Sequence, residues 1–260
     1  MNTALPAIAF DAVGKAYGAT PVLDDVSLSV PAGQFLAILG PSGSGKTTLL
    51  RLVNRLADPS TGAVRVAGED VRTADPIALR RRVGYVFQGI GLFPHMTVAE
   101  NIGITPRLIG WDHARIAARV EELLTLVRLE PVTYRGRFPH ELSGGERQRV
   151  GVARAIAAGP RLVLVDAPVG ALDPLTRDAL GQDYRDLHRD LGLTTVMITH
   201  DALEAVLLAD RIVVIRAGRL IADGTPHALM NDTQDAYVHE LMQTPRRQAE
   251  RLAALMRGQA

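Results

Sequence analysis

Cysteine is absent from this chain of 260 residues, which excludes disulfides and thiolate metal sites and fits a reducing compartment. A strong charge of either sign is also absent, because the formal net charge is only +1. The charge balance therefore gives no reason to expect a nucleic-acid partner. No apolar run approaches the length that spans a bilayer, and residues 1–6 lack the basic and apolar regions of a signal peptide. If this protein acts at a membrane, we expect other chains to supply the spanning segments.

The composition that is present is ordinary for a globular chain, with 47% hydrophobic and 22% charged residues. Apolar and polar residues alternate from about residue 8 to residue 30, which predicts antiparallel strands with one wet face. The pattern changes after about residue 90: Thr97 and Glu100 form a capping box, and residues 112–127 carry apolar side chains at helical spacing. We therefore predict an α/β fold with an N-terminal antiparallel β subdomain and an α-helical subdomain inserted at about residues 90–158.

The strongest motif lies at residues 40–48 and fits the phosphate-binding pattern G-x-x-x-x-G-K-[ST]. Residues 35–39 before it are apolar, as in a buried strand, and residues 48–53 after it read as a helix, which is the context that the pattern requires. A plain Gly/Ser turn between a strand and a helix is the alternative, but it gives Lys46 and Thr47 no purpose. The motif predicts a P-loop NTPase core built on a mixed sheet.

The chemistry of this loop follows from its residue types. Glycines let successive backbone N–H groups point at phosphate oxygens, and the helix start adds unpaired donors. Lys46 can reach the β- and γ-phosphates, and the Thr47 hydroxyl can ligate Mg²⁺. The predicted nucleotide-binding residues of the loop are Gly40, Pro41, Ser42, Gly43, Ser44, Gly45, Lys46, Thr47 and Thr48.

Polar residues also stand where other apolar runs end. Asp166 ends a run that reads as a buried strand, and a carboxylate there suits indirect Mg²⁺ coordination. His200 follows another such run; a lone histidine is often structural, but one at the carboxyl end of a parallel strand faces the ligand crevice. Gln88 is either an ordinary loop residue or an oxygen ligand beside a glycine hinge. Tyr17 is either a half-buried strand aromatic or a ring on which a base can stack.

A second glycine pair stands at a helix start. Ser143 and Glu146 form a capping box, and Gly144 and Gly145 follow the cap directly. Glycines are poor helix formers, so their presence makes sense if a phosphate must approach the exposed N–H groups.

Together these motifs resemble the ATP-binding subunit of an ABC transporter, from about residue 8 to residue 229. Residues 90–97, 137–142 and 170–177 are similar to the corresponding segments of importers of glycine betaine, choline and related osmoprotectants. The resemblance makes His200, Gln88 and Asp166 catalytic and assigns Mg²⁺ to Thr47, Gln88 and Asp166. It makes the phosphate loop a Walker A motif and assigns ATP to this loop and to Tyr17, Ser143, Gly144, Gly145, Glu146 and Asp173.

The same resemblance implies how the chain works with others. Two copies bind two ATP molecules head to tail, each between Lys46 of one copy and Ser143 of the other. Closure of this homodimer pulls on permease subunits near Gln88, and a periplasmic or extracellular solute-binding protein takes part indirectly. The chain is then peripheral, on the cytoplasmic face of the membrane, with residues 1–235 as the ATP-binding domain. Residues 236–260 are predicted to be a helical tail that packs on its own chain or on a second copy.

One position departs from the family pattern. Ala167 stands after Asp166, where family members carry a glutamate that polarises the attacking water. Loss of a general base removes a factor of about 10²–10⁴ in rate, so we expect slow hydrolysis with binding intact. Either the glutamate was replaced to trap the ATP-bound state, or the chain diverged naturally, which Val169 nearby favours. A degenerate regulatory subunit paired with an active ATPase, and an ABC-type switch without transport, are the rival functions.

Overall fold

The computed structural model describes residues 5–87, 89, 91–166 and 174–256 of the chain. The strands are β1 (Ile8–Tyr17), β2 (Thr20–Val30), β3 (Phe35–Leu39), β4 (Thr61–Val66), β5 (Glu69–Asp70), β6 (Val83–Val86), β7 (Leu162–Asp166), β8 (Thr194–Ile198), β9 (Arg211–Arg216) and β10 (Arg219–Gly224). The α-helices are α1 (Lys46–Val53), α2 (Pro76–Arg82), α3 (Val98–Leu108), α4 (His113–Leu126), α5 (Pro131–Tyr134), α6 (Gly144–Ile156), α7 (Pro174–Asp190), α8 (Ala202–Leu208), α9 (Pro226–Asn231) and α10 (Ala236–Met256).

The strands form two sheets, and the predicted fold class is confirmed. One sheet has four antiparallel strands in the order β2-β1-β4-β5, and the other has six strands in the order β10-β9-β3-β8-β7-β6. The larger sheet is mixed, because β10 runs antiparallel to β9 while β6, β7, β8, β3 and β9 pair in parallel. Strand β3, which leads into the phosphate loop, therefore lies inside the sheet with a neighbour on each side.

Hydrophobic layers cover both faces of this sheet, as the continuous apolar run of β3 requires. Leu36 and Ile38 point into the layer formed with β1, β2 and α1, whereas Phe35 and Leu39 point into the layer formed with the helices α3, α4, α6 and α8. All five residues of β3 are buried. The strand that carries the phosphate loop is thus held on both faces and both edges.

The inserted helical subdomain is present between β6 and β7. Both predicted capping boxes form, at Thr97 for α3 and at Ser143 for α6, and Asp112 caps α4 by accepting from the Arg115 N–H. Helix α6 lies close to β6, since a Cβ added at Gly84 would stand 2.6 Å from the Ala155 carbonyl oxygen. A glycine inside a strand pattern indicates this kind of close backbone approach.

Helix α10 packs on its own chain in its first half. Val238 and Met242 are fully buried in the same core as α8 and α9, and the Gln243 amide donates to the Met230 carbonyl at 2.9 Å. The apolar tail expected on the sequence also included Leu252 and Leu255, whose side chains lie outside the described set. The domain boundary at residue 235 stays a prediction. Among the helices described, none has the length and apolarity needed to cross a membrane.

Candidate functional site

A cavity of about 420 Å³ opens at the carboxyl edge of three adjacent strands, β3, β8 and β7. The phosphate loop follows β3, His200 follows β8, and Asp166 ends β7, so the strand order brings together groups that are far apart in the chain. The cavity is lined by these predicted site residues: Ser42, Gly43, Gly45, Lys46, Thr47, Thr48, Asp166 and His200.

The loop conformation explains why glycine is needed at two of its positions. Gly45 has φ +103°, and a Cβ there would stand 2.6 Å from Leu23 Cδ2. A Cβ at Gly40 would stand 2.1 Å from the Ile215 carbonyl oxygen. The loop is therefore seated directly on β2 and β9, and its shape leaves no room for side chains on the protein side.

Lys46 folds its amino group back over the loop. Its Nζ donates to the carbonyl oxygens of Gly40 and Pro41, both at 2.8 Å. Burial lowers the pKa of Lys46, and the charge of Asp166 partly opposes this shift. A phosphate group offers the ammonium an anionic acceptor in place of these neutral carbonyls, so it can take over these hydrogen bonds.

Asp166 also lines the cavity and is 7% exposed. It accepts a hydrogen bond from the Tyr85 hydroxyl at 3.3 Å. Burial raises the pKa of Asp166, while Tyr85, Arg51 and Lys46 act in the opposite direction. The Thr47 hydroxyl lines the same cavity. Hard oxygen donors of this kind fit Mg²⁺, which takes one or two protein ligands and completes its shell with water and phosphate.

His200 lies exposed at the cavity, and a network that sequence reasoning missed stands behind it. The Thr199 hydroxyl, also in the cavity wall, donates to Glu204 Oε2 at 2.5 Å and accepts from the Asp201 N–H at 3.0 Å. Burial raises the pKa of Glu204, and Asp201 adds to the shift. The only sequence signal was an acidic residue in the first turn of the helix that follows His200.

The glycine-rich helix start at residues 143–146, which we call the signature turn, is well formed but does not line this cavity in the described part of the chain. Ser143 Oγ accepts from the Glu146 N–H at 3.3 Å, and Glu146 Oε2 accepts from the Ser143 N–H at 2.7 Å. The Tyr134 hydroxyl donates to the other Glu146 oxygen at 2.5 Å and lowers the pKa of that carboxyl. Ser143 itself is exposed. The two predicted phosphate-binding elements therefore stand apart within one chain.

Three predicted residues, Gln88, Asp173 and Ala167, lie outside the described residues. Tyr17 is 46% exposed at the end of β1, and Lys15 Nζ lies 4.8 Å from the centre of its ring. The structure does not place Tyr17 in the cavity wall, and its base-stacking role stays a prediction.

A separate apolar groove of about 500 Å³ runs between β6 and the helical subdomain. Phe87, Phe93 and Leu108 line it together with Arg80 and Arg154. The Arg154 guanidinium donates to the Gly91 carbonyl at 2.7 Å and lies 5.8–5.9 Å from the rings of Phe93 and Phe87.

The loop beside this groove is held by one buried amide. Asn101 is fully buried, donates to the carbonyl oxygens of Phe93, Met96 and Thr97, and accepts from the Phe93 N–H. Sequence reasoning missed both Asn101 and Arg154, since an interior asparagine or arginine carries no pattern of its own.

Comparison with known proteins places this site in a family. The model of the ABC transporter family matches residues 23–170, more than half of the chain. The chain is 46% identical over 231 residues to the glycine betaine/carnitine/choline transport ATP-binding protein OpuCA of Bacillus subtilis, covering 88% of this chain and 60% of that protein. It is 48% identical over 236 residues to the sulfate/thiosulfate import ATP-binding protein CysA of Caulobacter vibrioides, covering 89% and 68%.

A solved structure is also similar. It is the dimer of an ATP-binding cassette in a post-hydrolysis state, bound to ADP and Pi, at 31% identity and a TM-score of 0.76, covering 84% of this chain and 98% of that chain. The chain spans less than two thirds of the length of several curated relatives, among them OpuCA.

Proposed function

This chain belongs to the ABC transporter family, and we propose that it is the ATP-binding and ATP-hydrolysing subunit of an importer. One observation carries the proposal: Lys46, Thr47, Asp166 and His200, from three adjacent strand ends, line a single cavity. A cation, a hydroxyl, a carboxylate and an imidazole around a glycine loop are the groups that phosphoryl transfer from a nucleoside triphosphate needs.

Each residue of the cavity has a role in this proposal. The backbone N–H groups of the loop and Lys46 bind the phosphates, and His200 faces the terminal one. Thr47 and Asp166 hold Mg²⁺, which neutralises charge that develops on the phosphate oxygens. Gln88 joins this ligand set as a prediction from the sequence.

The working unit of the proposal is a homodimer. The exposed helix start at Ser143 has no phosphate to bind unless a second copy brings its own. The dimeric arrangement of the similar cassette, which is bound to ADP and Pi, supports this interpretation.

We further propose that the apolar groove binds a permease subunit, with the chain peripheral on the cytoplasmic face of the membrane and the solute-binding protein as an indirect partner. Contiguous apolar surface rimmed by polar residues is typical of protein-binding sites, and Phe87 and Phe93 are 45% and 41% exposed here. Several relatives are named for import of glycine betaine, choline or carnitine, which supports an osmoprotectant as the solute.

Hydrolysis by this chain is expected to be slow, because Ala167 cannot accept a proton from the attacking water. A second function, a regulatory subunit paired with an active ATPase, is favoured by this same residue. A stable homodimer in MgATP would count against it.

Phosphate release at saturating MgATP tests the proposal, with this chain and its Ala167→Glu variant compared. We expect Ala167→Glu to be faster by a factor of about 10²–10⁴. Equal, fast turnover in both would contradict the assigned role of position 167, and absence of MgATP binding would overturn the function itself. Co-purification with polytopic membrane subunits, followed by uptake assays with glycine betaine and with sulfate, tests the transport role and the solute.

A further inference from the structure

A second, much smaller cavity of about 30 Å³ lies inside the molecule, between α6, α7 and α8 and the sheet. A cavity needs roughly 10–15 Å³ to hold one water molecule, and the water needs polar partners. Most of the lining is apolar, from residues such as Val165 and Met197, but Gln148 of α6 and Glu204 of α8 also face it.

Gln148 carries a buried polar group that the described contacts leave unsatisfied. Its side chain is 3% exposed, and its Nε2 group has no hydrogen-bond partner among the residues that the structure describes. A buried donor without a partner costs about 1–3 kcal/mol, and packed interiors rarely retain one. The amide therefore points to an acceptor that occupies the cavity.

Glu204 connects this cavity to the phosphate site. Its carboxylate accepts the Thr199 hydroxyl at 2.5 Å, and Thr199 lies in the wall of the phosphate cavity, directly before His200. Thr199 also accepts the Asp201 N–H at 3.0 Å, which orients the chain on the other side of His200. The backbone that carries His200 is thus held by hydrogen bonds that end on Glu204.

We propose that this cavity holds a water molecule that accepts a hydrogen bond from Gln148 and donates one to Glu204, which makes both of them positioning residues for ATP hydrolysis. The inference rests on the proposed function. Helix α6 begins at the signature turn, so the bridge ties Ser143, which meets the partner's nucleotide, to His200, which meets the chain's own. A shift of α6 on dimer closure is then transmitted through this bridge to the position of His200 in the same chain.

Phosphate release by variants made in the Ala167→Glu protein, where turnover is measurable, tests the bridge. We expect Gln148→Leu and Glu204→Leu each to lower the rate at saturating MgATP by about 10- to 100-fold, the range that small misplacements cause. Because both remove the same bridge, the double variant should be no slower than the slower single variant. The KM for MgATP should change by no more than about twofold, since neither residue touches the nucleotide. Glu204→Gln, which keeps an acceptor oxygen for Thr199, should recover part of the rate.

Glu240→Gln, on the exposed face of α10, is the matched control and should match its parent. A crystal structure of the parent chain that resolves ordered water gives a readout independent of any variant. It should show one water between the Gln148 amide and the Glu204 carboxylate.

Additive losses in the double variant, unchanged rates in the single variants, or no water in the cavity would each overturn the inference. If the Ala167→Glu parent itself releases no phosphate, the proposed function fails instead.

Discussion

Two helices of this molecule begin at glycine-rich turns, and their N-termini are capped in different ways. Helix α1 has Gly45 as its N-cap in a left-handed conformation, with no side-chain hydrogen bond to the cap. Helix α6 is closed by the reciprocal bonds of Ser143 and Glu146. The first helix start leaves its donors to a ligand inside a formed cavity, whereas the second is stable by itself and stands exposed. The difference fits the proposed function, in which one side of the nucleotide site is formed within a single chain and a second copy supplies the other side.

The largest expected effect is a difference in stability between alanine variants of two glycines, Gly40 in the phosphate loop and Gly145 in the signature turn. Gly40→Ala places a Cβ 2.1 Å from the Ile215 carbonyl oxygen, which is backbone and cannot rotate away. We expect the free energy of unfolding to fall by about 1–3 kcal/mol or more, as measured by urea denaturation. Among the described residues, a Cβ at Gly145 would meet the Thr176 methyl, at 2.7 Å, which is a side chain and can shift; the alanine also gains helix propensity, so the stability of Gly145→Ala should change much less. Similar losses in both variants would contradict the difference between the two turns.

Lys46→Ala tests whether the phosphate-loop cavity of a single chain binds MgATP. The lysine supplies charge-assisted hydrogen bonds that are each worth about 1.5–3 kcal/mol, so MgATP affinity should fall about 10- to 100-fold by isothermal titration calorimetry. Thermal unfolding without nucleotide is the control and should change little, because within the described residues the hydrogen bonds of Lys46 go to two loop carbonyls. Unchanged affinity would show that the cavity does not bind triphosphate in the way proposed.

Ser143→Ala tests whether the signature turn binds the nucleotide of a second copy. Loss of the cap should cost about 1 kcal/mol of stability, leave MgATP affinity of the monomer intact, and abolish ATP-dependent dimerisation in sedimentation experiments. Thr97→Ala removes the other capping box, in the same helical segment, and is the matched control. It should cost similar stability and still dimerise. If both variants dimerise, Ser143 does not contact the partner's nucleotide.

The smallest expected effect concerns pH. Burial and the Arg185 charge lower the pKa of His188 below 6.5, although Asp210 partly opposes them. Between the two pKa values the unfolded chain binds a proton at His188 and the folded chain does not. The free energy of unfolding should therefore fall as the pH drops from 6.5 toward the pKa of His188 in the folded chain.

His188 packs on Phe35, at the start of β3, so this loss arises beside the strand that leads into the phosphate loop. The Glu146 cap, whose pKa lies below 4.5, should keep its contribution there. Thermal unfolding of the parent and of His188→Gln between about pH 7.5 and 5.5 measures the difference. A parent that loses no more stability than His188→Gln over this range would contradict the expected shift.

The parts of the site that could be predicted from the sequence are those that depend on patterns of neighbouring residues. The strand before the loop is a short apolar run, and the caps at Thr97 and Ser143 need only a hydroxyl and a glutamate three residues apart. The meeting of Asp166, His200 and Lys46 in one cavity also followed, because the carboxyl ends of parallel strands share one edge.

The rest depends on distances that no local pattern encodes. The bond from Thr199 to Glu204 exists because α8 folds back onto the sheet, where it packs on β3. The four bonds of Asn101 exist because a loop closes over it. For α10 the amphipathic pattern left its partner open; the burial of Val238 and Met242 shows that its first half packs on its own chain. These contacts belong to the tertiary fold.

Strands β6 and β7 are hydrogen-bonded neighbours, with Val83 beside Leu162. The chain thus leaves the sheet after β6 and returns in the adjacent strand, β7, after the helices α3 to α6. Pairing of the two strands sets no length for the helical segment between them, so its first part can be exchanged between relatives while the proposed nucleotide-binding edge of the sheet is kept. If the proposed function holds, a graft of residues 91–141 from a relative that serves a different permease would change the permease partner and leave Ser143, Gln148 and the phosphate loop in place.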